Sequence, residues 1–314
     1  MPLAPLERLP TEILEEIFKH SLWNLDLPLA SPHLASKLAS NHCYQGICSA
    51  YLSVPIGDRV RQTRIQSRIF ACRFMTWDFF KIYLTRAYEE VGCICGDDDC
   101  FTPIWPPAFS DPASMPFTIG HLPQLSYIKC RIPIKLLHGP WTEEKTQFLR
   151  FLIQTSSMTV DWADKETRRL AVQGKKEAIL ARNYSVVDLF NHNRRLGKPP
   201  GLDLVRFAVM EGGCDRTIVF DIMNTARTWG VRYWTSDILD DWVKKAVEEG
   251  NPKGAWLKVK LDELRSNKAL TSDVGNYEME GDVLQVNGAG GSRVGEVRSR
   301  VRWRLDRRLD LLRS

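Results

Sequence analysis

Among the residues of this chain that could do chemistry, three closely spaced cysteines come nearest to a known kind of site, a zinc site. Cys93, Cys95 and Cys100 follow one another with three aspartates between the last two. A structural zinc ion takes four ligands, usually in pairs separated by two to four residues. The fourth ligand would have to be one of four other residues: Cys72, Cys130, His121 or His138. The sequence selects none of them, so we prefer an acidic surface loop and expect no metal and no cofactor.

The chain contains none of the short motifs that mark a catalytic centre. It has no Gly-x-Ser-x-Gly, no His-Glu-x-x-His, no Gly-x-Gly-x-x-Gly after a strand and no kinase signature. Its histidines are scattered, with no cysteine or carboxylate at an offset typical of a catalytic pair. They are His20, His33, His42, His121, His138 and His192. We therefore expect a protein that is not an enzyme and acts by binding other molecules.

The composition indicates a globular protein of the cytoplasm or the nucleus. Hydrophobic residues make up 44% of the chain, which is ordinary for a protein that buries a core. We find neither a secretory signal nor an apolar run long enough to span a membrane. The net charge of +5 is carried by residues 293–314, which hold eight arginines. The rest of the chain is balanced in charge, so nucleic acid is not expected as its partner.

An amphipathic helix is predicted close to the N-terminus. Pro10 suits the first turn of a helix, where its missing N–H leaves no donor unpaired. Ile13, Leu14, Ile17 and Phe18 then recur at the spacing of one apolar helix face. Leucines before the helix extend that face. The helix must pack on its own domain or on a partner.

The pattern Leu-x-x-Leu-Pro-x-Glu-Ile-Leu-x-x-Ile-Phe resembles the opening of an F-box. In that family, a small three-helix module docks on the Skp-type adaptor of a cullin ubiquitin ligase. The resemblance covers about residues 3–52 and is carried by the first half, because no tryptophan follows Cys43 or Cys48. Leu29, Leu34 and Leu38 are expected to fill the small core of the module. The resemblance implies these adaptor-binding residues: Leu6, Leu9, Pro10, Ile13, Leu14, Ile17 and Phe18.

The remaining chain divides into five segments by composition. After an F-box-like module at 1–55 we expect a helical connector, an irregular Cys/Pro-rich segment, a helical region, a flexible glycine-rich linker and a basic amphipathic helix. Their bounds are 56–91, 92–140, 141–265, 266–292 and 293–314. The connector carries five arginines between Arg59 and Arg73. We interpret them as a solvated face, because no aromatic residues for stacking on bases are interleaved with them.

A weak internal repeat runs through the helical region. Ala178, Ala208 and Ala246 each lie in a short helical stretch that is followed by a turn and a second apolar stretch. A period of about 33 residues with this layout resembles that of ankyrin repeats. The alternative is an irregular helical bundle in which small residues recur by chance. Both predict a mainly α protein made of stacked helix pairs.

The combined features resemble those of fungal F-box proteins with a degenerate helical-repeat C-terminus. The resemblance implies a substrate-recognition subunit of an SCF-type ubiquitin ligase. Its partners would be a Skp-type adaptor, the cullin scaffold and an unknown substrate protein. One alternative is a protein-interaction scaffold without a ligase. Another is nucleic-acid binding through the arginines of residues 293–314.

Overall fold

In the computed structural model of the chain, the described residues are 4–53, 56–88, 125, 127–266 and 270. The candidate zinc ligands Cys93, Cys95 and Cys100 lie outside these residues. So do the glycine-rich run and the basic C-terminal helix predicted above. The described residues up to Leu270 belong to one compact unit.

The described part of the chain is built of thirteen α-helices, as the mainly α prediction requires. They are α1 (Thr11–His20), α2 (Asp26–Leu29), α3 (Pro32–Lys37), α4 (Asn41–Leu52), α5 (Arg59–Ala71), α6 (Trp77–Tyr88), α7 (Glu143–Thr155), α8 (Lys165–Leu180), α9 (Tyr184–Asn191), α10 (Leu202–Met210), α11 (Arg216–Thr228), α12 (Asp237–Glu248) and α13 (Pro252–Arg265). Short 3-10 helices occur at Pro5–Arg8 and Ile134–Leu136. Between the described residues no strand forms, and a single parallel bridge joins Arg131 to Thr159.

The first helix begins one residue later than expected. Pro10 occupies the N-cap position, and α1 starts at Thr11. The turn before it is held by Lys37 of α3, whose Nζ donates to the carbonyl oxygens of Glu7 at 2.9 Å and Leu9 at 2.7 Å. These bonds fix the extended entry to α1 against α3.

Helices α4, α5 and α6 share one hydrophobic core with the helices that follow them. Gln66 of α5 is buried and donates from Nε2 to the carbonyl oxygens of Tyr51 and Tyr127, each at 3.0 Å. Its Oε1 accepts from the N–H of Lys129 at 3.2 Å. The buried ring of Tyr83 on α6 reaches back to α4, where its hydroxyl donates to the Cys48 carbonyl at 3.4 Å. Residues of α4 are therefore part of the main core as well as of the F-box-like region.

Three helix pairs follow α7, namely α8 with α9, α10 with α11, and α12 with α13. In each pair a residue with a positive φ angle precedes an Asn or Asp whose side chain caps the second helix: Arg182–Asn183, Cys214–Asp215 and Gly250–Asn251. A backbone hydrogen bond closes each turn onto a buried alanine of the first helix. These alanines are Ala178, Ala208 and Ala246.

The pairs stack in two layers. The first helices α8, α10 and α12 contact one another in turn, and the second helices α9 and α11 contact each other. The predicted repeat-like helical character is therefore confirmed, and the finer resemblance to ankyrin repeats stays a prediction. In the described part of the chain, each helix is too short or too polar to cross a lipid bilayer.

Candidate partner-binding site

The apolar residues of α1 point in two directions. Leu14 and Phe18 are buried, with 0% and 1% of their surface exposed, whereas Ile13 is 50% and Ile17 36% exposed. Residues four apart share a helix face, and neighbours are rotated by about 100°. One stripe therefore serves the core of the chain, and the adjacent stripe is left on the surface.

The buried stripe of α1 packs against α4 through a tryptophan in the turn that follows α1. Trp23 meets Phe18 edge-on, with ring centroids 5.3 Å apart. Its ring also lies against Gly46 of α4, where an added Cβ would be 2.2 Å from the indole. Since no Cβ can occupy that space, the glycine permits the close approach of the ring to α4.

The other predicted adaptor-binding residues flank this surface. Pro10 is exposed, and Leu6 and Leu9 are half-buried, with their inner sides packed on the core. Glu7 closes the preceding turn by accepting from the N–H of Ala4 at 2.7 Å. A hydrogen bond from Ser31, together with this one, lowers the pKa of the Glu7 carboxyl. Of the seven residues implied by the resemblance, all but Leu14 and Phe18 are thus at least partly open to a partner.

Two further leucines in the first helices are exposed, and sequence reasoning missed both. Leu22 in the turn after α1 is 72% exposed, and Leu29 at the end of α2 is 73% exposed. The expectation that Leu29 fills the small core is wrong, whereas Leu34 and Leu38 are buried as expected. Single exposed leucines are common, but four large apolar side chains within so short a stretch are typical of a binding surface.

A carboxylate borders this apolar surface. Glu15 lies on the opposite side of α1, where the hydroxyl of Ser40 donates to it at 2.8 Å. Glu16 lies 3.8 Å from the ammonium of Lys19, four-fifths of a turn further along the helix. The arrangement offers an apolar strip with an acidic edge. It can bind a partner by burying Ile13 and Ile17, which is docking and not bond chemistry.

A second group of polar side chains lies between α9 and α11. Asp221 is buried and accepts from Asn191 Nδ2 at 2.7 Å, and its other oxygen is 2.9 Å from His192 Nε2. Thr225 Oγ1 is 3.2 Å and Asp188 Oδ1 is 3.7 Å from the same ring nitrogen. A nitrogen and two carboxylates thus come close enough to share a metal ion.

A buried lysine makes this group a poor cation site. Burial lowers the pKa of Lys175 to about 8, and the negative charge of Asp221 acts in the opposite direction. The ammonium of Lys175 therefore already supplies positive charge beside Asp221. We interpret the group as a set of polar contacts that joins α9 and α11.

The sequence carried one signal for this polar group. Asp188 and His192 are four residues apart on a helix, a spacing at which side chains meet. For His192, the expectation that no histidine has a carboxylate at an informative spacing is therefore wrong. Asp221 lies on another helix, and no local pattern indicates its participation.

Comparison with known proteins assigns no family to this chain. A scan against protein-family models found no match, and neither a curated protein nor a solved structure matched the chain significantly. Its function is therefore inferred from its own residues and their geometry.

Proposed function

We propose that the protein is the substrate-recognition subunit of an SCF-type ubiquitin ligase. The exposed stripe of α1 would dock on a Skp-type adaptor, which links the protein to a cullin scaffold. The helix pairs from α8 to α13 would face a substrate protein. Such a complex would operate in the cytoplasm or the nucleus.

The observation that carries the proposal is that the apolar residues of α1 are partly buried in the core and partly exposed at the surface. In the sequence pattern that resembles an F-box, Leu14 and Phe18 are buried in the core of the protein, and Ile13 and Ile17 stay exposed. An isolated amphipathic helix that served only its own fold would gain nothing from the exposed stripe. Exposed β-branched residues one helical turn apart are instead the anchors that a groove on another protein requires.

The mechanism would be proximity rather than bond chemistry by this chain. Held on the cullin scaffold, the protein would bring its substrate close to a conjugating enzyme charged with ubiquitin. The tethered reaction then depends on an effective concentration set by the geometry of the complex. Every residue of the protein would act by binding or positioning.

The test is the affinity of the full chain for a purified Skp-type adaptor, measured by calorimetry. Replacing both exposed anchors, as in Ile13→Asp/Ile17→Asp, should weaken binding by at least ~2 kcal/mol, because two carboxylates would be buried without partners. That corresponds to about a thirtyfold higher Kd. Ile13 is half exposed and Ile17 36% exposed, so the variant should stay folded, which its urea denaturation checks.

A matched control is Val172→Asp, which puts the same charge on an exposed apolar position of α8. Val172 is 56% exposed, similar to Ile13. We expect its adaptor affinity to equal that of the wild type. Adaptor binding that survives the double substitution in α1, or that Val172→Asp also reduces, contradicts the proposal.

The second candidate function is a protein-interaction scaffold without a ligase. It is favoured by the shared core, in which α4 packs against α5 and α6. Because of this packing, deletion of residues 1–55 should unfold the protein under either function and cannot separate them. Adaptor titration of the wild type and of the α1 variant does separate them. A scaffold without a ligase would have no affinity for the adaptor even as the wild type.

A further inference from the structure

A groove of about 860 Å³ runs between α5 and residues 131–135, and the start of α8 borders it. The proposed adaptor surface does not include it. Its size is in the range of natural ligand sites. Three of the arginines of α5 line it, namely Arg59, Arg64 and Arg68, whereas the sequence led us to interpret the arginines as a solvated face.

The second wall of the groove is fixed by hydrogen bonds to both sides. The N–H of Arg131 donates to Ser67 Oγ of α5 at 3.2 Å. The N–H of Ile132 donates to the Thr159 carbonyl at 3.0 Å. Lys135 donates to the Met75 carbonyl at 2.9 Å and also to the carbonyl of Cys72, the C-cap residue of α5. The groove is therefore formed before any ligand arrives.

Exposed apolar side chains lie along the groove. Val60, in the first turn of α5, is 81% exposed, and Ile134 on the opposite wall is 43% exposed. Ala71 and Pro133 add apolar surface to the two walls. An apolar side chain of a partner would remove this surface from water.

The charges around the groove are unequal. Five basic and two acidic side chains line it. The two acidic side chains already have partners, because Asp164 accepts from the N–H of Thr167 at 2.8 Å and Asp161 lies 3.9 Å from Arg131 Nε.

The arginines of α5 differ in how far their charge is satisfied. Arg68 is paired with Asp26 at 2.5 Å. Arg59 and Arg64 are exposed, and in the described part of the chain neither forms an ion pair. At the end of the groove next to Val60 the two arginines outnumber one carboxylate, that of Asp58, which caps α5.

We infer that this groove binds an acidic peptide segment, with carboxylates on Arg59 and Arg64 at one end and an apolar side chain against Pro133 and Ile134 at the other. If the proposed ligase function is correct, this segment is the part of the substrate that the protein recognises. In that respect alone the inference rests on the proposed function.

Two observations favour a peptide over a nucleic acid. Among the described residues that line the groove there is no aromatic ring on which a base could stack. The exposed apolar surface of Ile134 would also remain uncovered beneath a sugar–phosphate backbone. A peptide can combine charge at one end with an apolar contact at the other.

The test uses an array of decapeptides in which one Leu, Ile, Phe or Met is flanked by Glu and Asp, probed with the full chain in the absence of any adaptor. The strongest binder is then labelled with fluorescein and titrated by anisotropy. We expect Arg59→Glu/Arg64→Glu to weaken its binding about tenfold or more, since two favourable charge contacts become repulsive. Replacing the apolar residue of the peptide by Ser should also weaken binding.

The control variant Arg61→Glu/Arg73→Glu makes the same change in net charge at exposed arginines that do not line the groove. We expect it to retain the affinity of the wild type. The inference is overturned if no acidic peptide binds, if the control variant loses as much affinity, or if lysine-flanked peptides bind equally well. Binding of a single-stranded oligonucleotide in preference to the peptides would also overturn it and would point to nucleic acid.

Failure of this inference and failure of the proposed function give different results. Peptide binding is measured without the adaptor and should be unaffected by Ile13→Asp/Ile17→Asp. Adaptor binding should in turn be unaffected by Arg59→Glu/Arg64→Glu. Each variant therefore tests one surface and serves as a folding control for the other.

Discussion

The first helices and the helix pairs distribute their exposed apolar residues differently. Four large apolar side chains are exposed between Ile13 and Leu29, whereas eight are spread over the much longer stretch from Val172 to Val259. Scattered exposed apolar residues are normal on any protein surface, and a dense group is typical of a docking site. The comparison therefore favours the first helices as the location of the proposed adaptor surface, and recognition of other partners would fall to charged or mixed surfaces.

The two regions also differ in what holds their turns. In the helix pairs, each turn is closed by a local backbone bond and an Asn or Asp cap, as at Asn183 of α9. In the first helices, distant side chains support the irregular chain. Lys37 binds the carbonyls before α1, and the Tyr51 hydroxyl donates to the Leu22 carbonyl at 2.6 Å. Local turns leave a signal in the sequence, and long-range supports leave none.

The largest effect that we expect comes from a glycine in each region. An added Cβ at Gly174 of α8 would lie 1.9 Å from the Leu137 carbonyl oxygen, which is backbone and cannot turn aside. At Gly46 the obstacle is the ring of Trp23, a side chain that can move. Gly174→Ala should therefore lower the free energy of unfolding by at least about 3 kcal/mol, and Gly46→Ala by about 1–2 kcal/mol. Urea denaturation measures both.

Gly197→Ala is the control for these substitutions. Nothing lies within 4 Å of a Cβ built at Gly197. The change should be neutral or should stabilise the protein by roughly a few tenths of a kcal/mol, because alanine lowers the conformational entropy of the unfolded chain. If Gly174→Ala stabilised the protein, as alanine does in an open helix, the close contact between α8 and residues 137–138 would be wrong.

The next largest effect concerns the buried Lys175 of the helix pairs, in contrast to the half-exposed Lys37 of the first helices. Burial lowers the pKa of Lys175 to about 8 from the usual 10.5 of a lysine. Between these two pH values the unfolded state binds more protons, so the stability of the wild type rises with pH. Lys175→Met removes this gain. Its stability relative to the wild type should therefore fall by up to about 3 kcal/mol between pH 8 and 10.5.

The measurement for Lys175→Met is urea denaturation at a series of pH values, with the difference from the wild type taken at each. Lys165→Met is the matched control, because Lys165 is an exposed residue at the start of the same helix. The same trend in the control, or a difference for Lys175→Met that does not vary with pH, would show that burial of Lys175 is not the cause.

The fold was predictable where local rules act. Ala178 and Asn183 mark one turn of the helix pairs, and the same pattern near Ala208 and Ala246 predicts the other two pairs. The spacing of the four apolar residues of α1 predicts one apolar face, whereas in the fold two of them are buried and two are exposed. Sequence alone could not show that this face is split between the core and the surface, since the split depends on where α4 lies.

The sites beyond α1 depend on contacts between distant parts of the chain. Asp221 reaches His192 from another helix, 29 residues away. The groove joins the arginines of α5 to Ile134, which lies beyond a long segment poor in periodic signals. The sequence does not show which segment faces the arginines of α5. Only the fold therefore reveals that they form one wall of a groove.

The smallest expected effect tests whether the exposed apolar residues of the first helices lower the stability of the fold. Leu22 adopts a φ angle of 57° and is 72% exposed. A left-handed conformation costs a residue with a Cβ about 1–2 kcal/mol, and glycine avoids this cost. After allowance for the greater chain entropy of glycine in the unfolded state, Leu22→Gly should stabilise the protein by up to about 1 kcal/mol. It should also weaken adaptor binding, because an exposed leucine is lost from the apolar strip.

Leu29→Gly removes an equally exposed leucine from the last residue of α2, where glycine should destabilise by roughly 0.5 kcal/mol. Urea denaturation and adaptor titration of the two variants therefore separate backbone strain from side-chain contact. Both should bind the adaptor less well, and their stabilities should change in opposite directions. If Leu22→Gly gained stability and kept full adaptor affinity, the strip would end at Ile17. If it lost stability, the strain assigned to this turn would be wrong, and the dense apolar surface would carry no cost to the fold.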